Sequence, residues 1–194
     1  TIAYGNNIFV SRFQNNIAYS SDGINWQYVT LNTAFNNGSP LTFGGGKFVI
    51  IGSGIAAYST DGANWTSYSL ANPTLWYWEG LTYGQDKFVA ISDREIGGAS
   101  IYSSDGISWT KVTNTGMQGS TSIIKLKDYF VSWSATHNRN VYYSYDGIST
   151  FKSSYVNVSN QIGALGGSTS TNALVFVDSG NSEDCRIDEG DTNI

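Results

Sequence analysis

Several things are scarce in this 194-residue chain, and each scarcity excludes something. There is one cysteine, Cys185, so no internal disulfide can form and the redox compartment stays open. There is one histidine, His137, which leaves a Ser-His-Asp or Cys-His catalytic set poorly supported. Charged residues are 13% of the chain, about half the usual quarter, and basic residues are scattered singly under a net charge of −5. Without a cationic stripe to release counterions, nucleic acid is not expected as a partner, nor is an anionic membrane surface. Apolar runs are too short for a membrane-crossing helix. No zinc-type ligand spacing and no phosphate-binding loop occurs, so no cofactor or metal is expected. The first residue is Thr1 where an initiating Met would stand, which is read as a processed form or a piece of something longer. Only two prolines are present, and no segment keeps a 3.6-residue apolar period, so helices should be few.

What is abundant points the other way. Aromatics make up 14%, with 13 Tyr and 6 Trp, and glycines number 22. Aromatic surface drives collapse and glycine permits tight turns, so the composition reads as many short strands. Self-similarity is stronger still. IAYSSDGINW (17–26), AAYSTDGANW (56–65), SIYSSDGISW (100–109) and VYYSYDGIST with Phe151 (141–151) align directly, and Asp22, Asp61, Asp105 and Asp146 are spaced 39, 44 and 41 apart. Upstream of each runs IAYGNNIFVS, LTFGGGKFVI, LTYGQDKFVA and the weaker IIKLKDYFVS, carrying Phe9, Phe48, Phe88 and Phe130. A fifth copy begins at Ile162, with ALVFV (173–177) as its second strand.

Each unit divides into four strands separated by turn signals; in the second these are 41–43, 47–52, 55–59 and 65–70. The expectation is an all-β fold, a five-bladed β-propeller of four-stranded antiparallel blades, forming a single domain over 1–194. The blades fall near 1–31, 40–70, 80–113, 122–156 and 162–194, the last irregular and short of its fourth strand. Asp-Gly between two strands favours a tight hairpin, with the Ser and Asp side chains fixing the turn and the following Trp folding over it. The structural set is therefore Ser20, Asp22, Gly23 and Trp26; Ser59, Asp61, Gly62 and Trp65; Ser103, Asp105, Gly106 and Trp109; and Ser144, Asp146, Gly147 and Phe151.

The pattern Ser-x-Asp-Gly-x-x-Trp resembles the Asp-box, or BNR repeat, of sialidase-like propellers, in a shortened form. The resemblance covers nearly the whole chain. It implies a propeller and a structural role for the repeated aspartates, which in that family lie on outer hairpins away from the active site. Family sialidases use three arginines on the substrate carboxylate, a tyrosine nucleophile with a glutamate partner, and an aspartate acid/base. Here there are four arginines, Arg12, Arg94, Arg139 and Arg186, none in the Arg-Ile-Pro motif that opens such enzymes, and the chain is much shorter than those catalytic domains. The short, glycine-rich repeat is also similar in style to bacteriophage tail and fibre proteins.

A propeller has two rims. One carries the Asp-Gly hairpins and the first-to-second-strand turns; the other carries the second-to-third-strand loops and the connections between blades. The second rim holds Arg12 and Gln14, Asp93-Arg94-Glu95, His137-Asn138-Arg139, the stretch 32–39, and the run 72–79 with Trp76, Tyr77, Trp78 and Glu79. Aromatic faces beside amides, acids and arginines suit a sugar, whose C–H face stacks while its hydroxyls bond. The expected ligand set is Trp76, Tyr77, Trp78, Glu79, Arg12, Asp93, Arg94, His137 and Arg139; the plainer alternatives are inter-blade packing for the tryptophans and solvated loops for the charged residues. Glu79, Asp93 and Glu95 could supply a glycosidase carboxylate pair. The acidic end, with Glu183, Asp184, Asp188, Glu189 and Asp191, reads as a solvated tail before it reads as a calcium loop. The reading is a non-catalytic recognition or structural module on a virion or extracellular bacterial surface, contacting a glycan or other surface proteins. The alternatives are a glycoside hydrolase or a purely structural assembly domain.

Overall fold

The computed structural model describes residues 1–33, 35–70, 77–92, 98–113, 115–117, 119–133, 140–149, 151–155, 162–167, 174–178 and 184–186. Among them every regular element is a strand. The first sheet is a meander of β1 (Ile2–Gly5), β2 (Ile8–Phe13), β3 (Asn16–Ser20) and β4 (Gln27–Thr30). The second repeats it with β5 (Leu41–Gly44), β6 (Lys47–Gly52), β7 (Ile55–Ser59) and β8 (Thr66–Ser69), within a residue of the expected bounds at most ends. The third holds β9 (Gly80–Gly84), β10 (Lys87–Ser92), β11 (Ala99–Ser103) and β12 (Thr110–Thr113). The fourth holds β13 (Ser122–Lys125), β14 (Phe130–Trp133), β15 (Asn140–Ser144) and β16 (Lys152–Tyr155). The fifth has three strands, β17 (Ile162–Gly167), β18 (Leu174–Asp178) and β19 (Asp184–Arg186), so the last repeat is the irregular one. Two compact units are formed, Thr1–Ala90 with Ile101–Lys111 and Ile91–Ser100 with Val112–Ile194.

The register explains why the two sequence motifs travel together. Phe9 pairs with Ser20, Phe48 with Ser59, and Phe130 with Ser144, so these three motif phenylalanines lie across the ladder from the serine that opens the next loop. Phe48, Phe88 and Phe130 are fully buried. Each such ring contributes roughly 2–3 kcal/mol by leaving water.

In the first unit the innermost strands stack side by side, β1 beside β5 and β5 beside β9. The spacing is set by glycine. A Cβ on Gly5 would lie 2.2 Å from the Phe43 ring, and one on Gly44 would lie 1.9 Å from Tyr83 Cγ. The second and third sheets thus each lay an aromatic ring on the bare backbone of the sheet before.

The tight turns are not where the Asp-Gly pairs stand. Two-residue turns join β1 to β2 at Asn6-Asn7, β5 to β6 at Gly45-Gly46 and β9 to β10 at Gln85-Asp86, each with positive φ at both residues. That is the backbone a two-residue hairpin needs to follow strand twist. The Asp-Gly pairs lie instead in longer loops, six residues between Ser20 and Gln27, organised by side chains. In the first such loop Ser20 Oγ donates to Asp22 Oδ1 (2.9 Å) and accepts from Gly23 N (2.9 Å), while Ile24 N and Asn25 N both donate to Asp22 Oδ1 (2.8 Å each). The other three copies repeat this, with the glycine-to-serine bond at 2.9, 2.8 and 3.2 Å. The glycines sit at φ 70–74°, a region only glycine enters freely.

Hydrogen bonding holds these carboxylates ionised. The Asn25 backbone N–H, then its side chain, pulls the Asp22 pKa well below the carboxylate range. The Asn64 side chain, then its backbone N–H, lowers Asp61 to about 2. The Ser108 and Ile107 N–H groups lower Asp105. At Asp146 burial pushes upward, but bonds from Ser149 and the Ile148 N–H outweigh it and the net shift is down. Trp26 and Trp65 close their loops by donating Nε1 to the Gly23 and Gly62 carbonyls, at 3.2 and 2.8 Å. Trp109 differs: its Nε1 donates to Tyr68 Oη (3.0 Å), and that hydroxyl donates to the Gly106 carbonyl. A tyrosine of the second sheet is thereby built into the loop of the third.

Candidate functional site

The rims sort within the first unit as the strand order requires. Asn6 Nδ2 donates to Gly46 O (3.1 Å) and Thr60 O (2.9 Å), and Lys47 Nζ donates to Asp105 O (2.7 Å), so tight turns and Asp-Gly loops share one edge. The opposite edge is built from Gln14-Asn15, the end of β4, and the connection from β4 to β5.

Asn15 anchors that connection. Its carbonyl accepts from Leu31 N (2.8 Å), and its Oδ1 accepts from Phe35 N (2.8 Å), which turns Phe35 down into the core at 5% exposure. Beside it Thr30 Oγ1 donates to Asn16 Oδ1 (2.9 Å). The chain then makes a β-turn, with Ser39 N donating to Asn36 O (3.0 Å) around Asn37 and Gly38. Arg12 holds the turn from beneath. Nη1 donates to Gln14 O (2.6 Å), and Nη2 donates to the carbonyls of Asn36 (3.0 Å), Asn37 (3.1 Å) and Ser39 (2.5 Å). Burial lowers the Arg12 pKa from its ordinary value, and the four carbonyl oxygens replace the water that the guanidinium gave up.

Above this frame lies an open cleft of about 760 Å³, lined by Gln14, Asn15, Asn16, Thr30, Phe35, Asn36, Asn37, Gly38 and Tyr77. Five of those nine are amides and none is an acid or a base that titrates near neutrality. Tyr77 is 45% exposed and supplies an aromatic face at the rim. Such a surface offers donors and acceptors without net charge.

The expected ligand residues divide accordingly. Tyr77 is in the cleft. Arg12 is not a ligand-facing side chain: it is 4% exposed and its terminal nitrogens are committed to backbone. Trp78 is 3% exposed, so it packs inward, and its Nε1 has no hydrogen-bond partner among the described residues. Glu79 is half-buried two residues beyond Tyr77 and does not line the cleft. Trp76, Asp93, Arg94, His137 and Arg139 lie outside the described residues. So does the acidic end, apart from Asp184 in β19. Among the described residues no three His, Cys, Asp or Glu side chains come together. Asn15, Asn16 and Thr30 were not singled out by sequence, although the doubled amides Asn15-Asn16 and Asn36-Asn37 are visible there.

No protein-family model and no curated protein matches this chain. Solved structures do. A streptogramin B lyase aligns over 99% of this chain and 69% of its own, with a TM-score of 0.71 at 12% identity. YCF48 bound to a D1 peptide aligns over 92% of this chain with a TM-score of 0.63 at 14% identity, and this chain spans only 60% of that one. A GH74 enzyme from Niastella koreensis aligns over 96% of this chain and 29% of its own, with a TM-score of 0.59 at 20% identity. The fold is a β-propeller. At these identities the likeness carries the architecture alone, since propellers host lyases, hydrolases and binding proteins on the same frame.

Proposed function

We propose that this propeller is a non-catalytic recognition module, displayed on a virion (phage tail or fibre) or an extracellular bacterial surface, and that the amide-lined cleft takes a neutral saccharide. The observation that carries the reading is the lining itself: five amides, a threonine hydroxyl and a half-exposed tyrosine around a space within the usual range for small-ligand sites. Amides bond hydroxyl groups as donor and acceptor at once, and the Tyr77 ring stacks on a sugar's C–H face. The surface location draws support only from the style of the repeat. Titration calorimetry against neutral oligosaccharides, following a glycan array, tests the binding. Tyr77→Ala should weaken binding about tenfold, equivalent to losing about 1.4 kcal/mol of contact. An array with no neutral glycan bound, or a Tyr77→Ala variant that binds unchanged, refutes the saccharide reading.

A second reading is a glycoside hydrolase, favoured by the half-buried Glu79 close in sequence to the cleft tyrosine and by the likeness to a GH74 enzyme. Turnover of a bound oligosaccharide that Glu79→Gln abolishes would establish it; binding without turnover would remove it. A third reading, contact with a protein partner, is supported by the peptide seen on YCF48.

A further inference from the structure

Asn37-Gly38 is the only Asn-Gly pair in the sequence, and it stands in the cleft. Both residues are exposed, and they are the central pair of the turn closed by Ser39 N and Asn36 O. Nothing lies within 4 Å of where a Cβ on Gly38 would point, so the turn stands in open space on that side. The four Asp-Gly pairs have related chemistry but a different setting. In each the glycine nitrogen donates to a serine hydroxyl and the carboxylate accepts several hydrogen bonds, which occupies the nucleophile and keeps the acceptor ionised. Where a serine stands two residues before each of those aspartates, Phe35 stands before Asn37.

We propose that Asn37 is a self-modifying site, converting to aspartate and isoaspartate by attack of the Gly38 nitrogen at a rate set by the Arg12 clamp. The Gly38 N–H gives its proton to solvent, and the nitrogen bonds to Asn37 Cγ. The Cγ–Nδ2 bond breaks, and ammonia leaves with a proton taken back from solvent. Water then opens the five-membered ring, at Cγ to give aspartate or at the backbone carbonyl to give isoaspartate. Ring closure needs the Asn37 backbone to rotate out of the turn. The bonds from Arg12 to the carbonyls of Asn36, Asn37 and Ser39 oppose that rotation, so the clamp is the brake. Aspartate puts its carboxylate on the exposed side chain, whereas isoaspartate puts one where the Asn37 carbonyl now accepts from Nη2 at 3.1 Å. The reaction therefore adds negative charge to a neutral cleft, and in isoaspartate a charge-assisted contact with Arg12 favours its persistence. The proposal stands whether or not the cleft binds sugar.

The test is incubation of the full chain at mildly alkaline pH, followed by peptide mapping with mass spectrometry and an isoaspartate-specific methyl-transfer assay. An amide-to-acid mass increase is expected in the peptide holding Asn36-Asn37-Gly38. It should be absent from those holding Asn25 and Asn64, whose amides donate to Asp22 and Asp61. Gly38→Ala, which has room for its methyl group, should lose the conversion while melting at the parent temperature. Arg12→Lys, read below its own melting transition, should convert several-fold faster. Retention of the Asn37 amide by the folded parent and by folded Arg12→Lys alike, over an interval in which the denatured chain converts, overturns the proposal. So does conversion of Gly38→Ala at the parent rate, and an Arg12→Lys rate equal to the parent's removes the clamp from it.

Discussion

Replacing Arg12 by methionine keeps the unbranched apolar stem of the side chain and removes all of its donors. The cost follows from what those donors hold. The Ser39 carbonyl is met at a buried position, and a charge-assisted bond there is worth about 1.5–3 kcal/mol. The carbonyls of Gln14, Asn36 and Asn37 are only partly buried, and Nη2 has two hydrogens for three acceptors, so their share is smaller, about 0.5–1 kcal/mol each. The expected loss is about 3–6 kcal/mol, because four carbonyls lose a donor that methionine does not replace. Against a usual domain stability of about 5–15 kcal/mol that is a large fraction, and it corresponds to a fall in melting temperature of about 10 °C. Guanidinium titration followed by tryptophan fluorescence should show the midpoint move with the slope unchanged, because the surface exposed on unfolding barely differs. Arg12→Lys should fall between, since one ammonium cannot reach both sides of the turn. A methionine variant within 1 kcal/mol of the parent would refute the clamp.

Three further outcomes follow from the same geometry. Acid should unfold the chain through its loops: the depressed aspartates stabilise the fold above their unfolded pKa of about 4, and that stability is lost as pH falls toward the folded value of about 2 at Asp61, which circular dichroism against pH would follow. Asp61→Ala should flatten that acid limb, and an unchanged limb would show that the hydrogen bonds to the carboxylate carry no net stability. Gly44→Ala should destabilise by about 1–3 kcal/mol in a thermal melt, because the new methyl meets the Tyr83 ring at 1.9 Å, and Gly44→Ala with Tyr83→Ala should recover part of the loss.

The fold was legible because the sequence repeats its instructions. The Phe and Ser motifs recur together, and they face each other across each ladder whose register is known. The turn chemistry was read less well. Asp-Gly pointed to a tight hairpin, but the aspartate carboxylate takes the N–H groups that a tight turn would leave to the backbone, and the loop opens to six residues. The residues that do make tight turns, Asn6-Asn7 and Gln85-Asp86, carry weaker signals because neither pair contains glycine. In the cleft, Tyr77 belongs to the aromatic run 72–79 that the sequence displays, whereas Asn16 and Thr30 lie at strand ends, where nothing local marks them. Arg12 was misplaced on the surface although the repeat held the answer. Three residues after the motif phenylalanine stand Ile51, Ile91 and Trp133, all buried, and Arg12 occupies the same column in the first copy.

That column also separates scaffold from site. A repeat that only needed to stack would gain by keeping isoleucine there, since a buried guanidinium must recover its lost hydration from fixed acceptors. The first sheet has the arginine, and its acceptors are four backbone carbonyls, three of them in the turn that carries Asn36 and Asn37 to the cleft wall. The charge therefore serves to hold a loop whose side chains are turned to solvent. A core position spent on shaping an exposed polar loop is hard to account for by stability, because the loop returns few apolar contacts. It is accounted for if the positions of those amides matter to a ligand. The departure from the repeat at Arg12 and the amide-lined cleft above it are then one feature, and the more regular sheets serve as the rigid ground on which it stands.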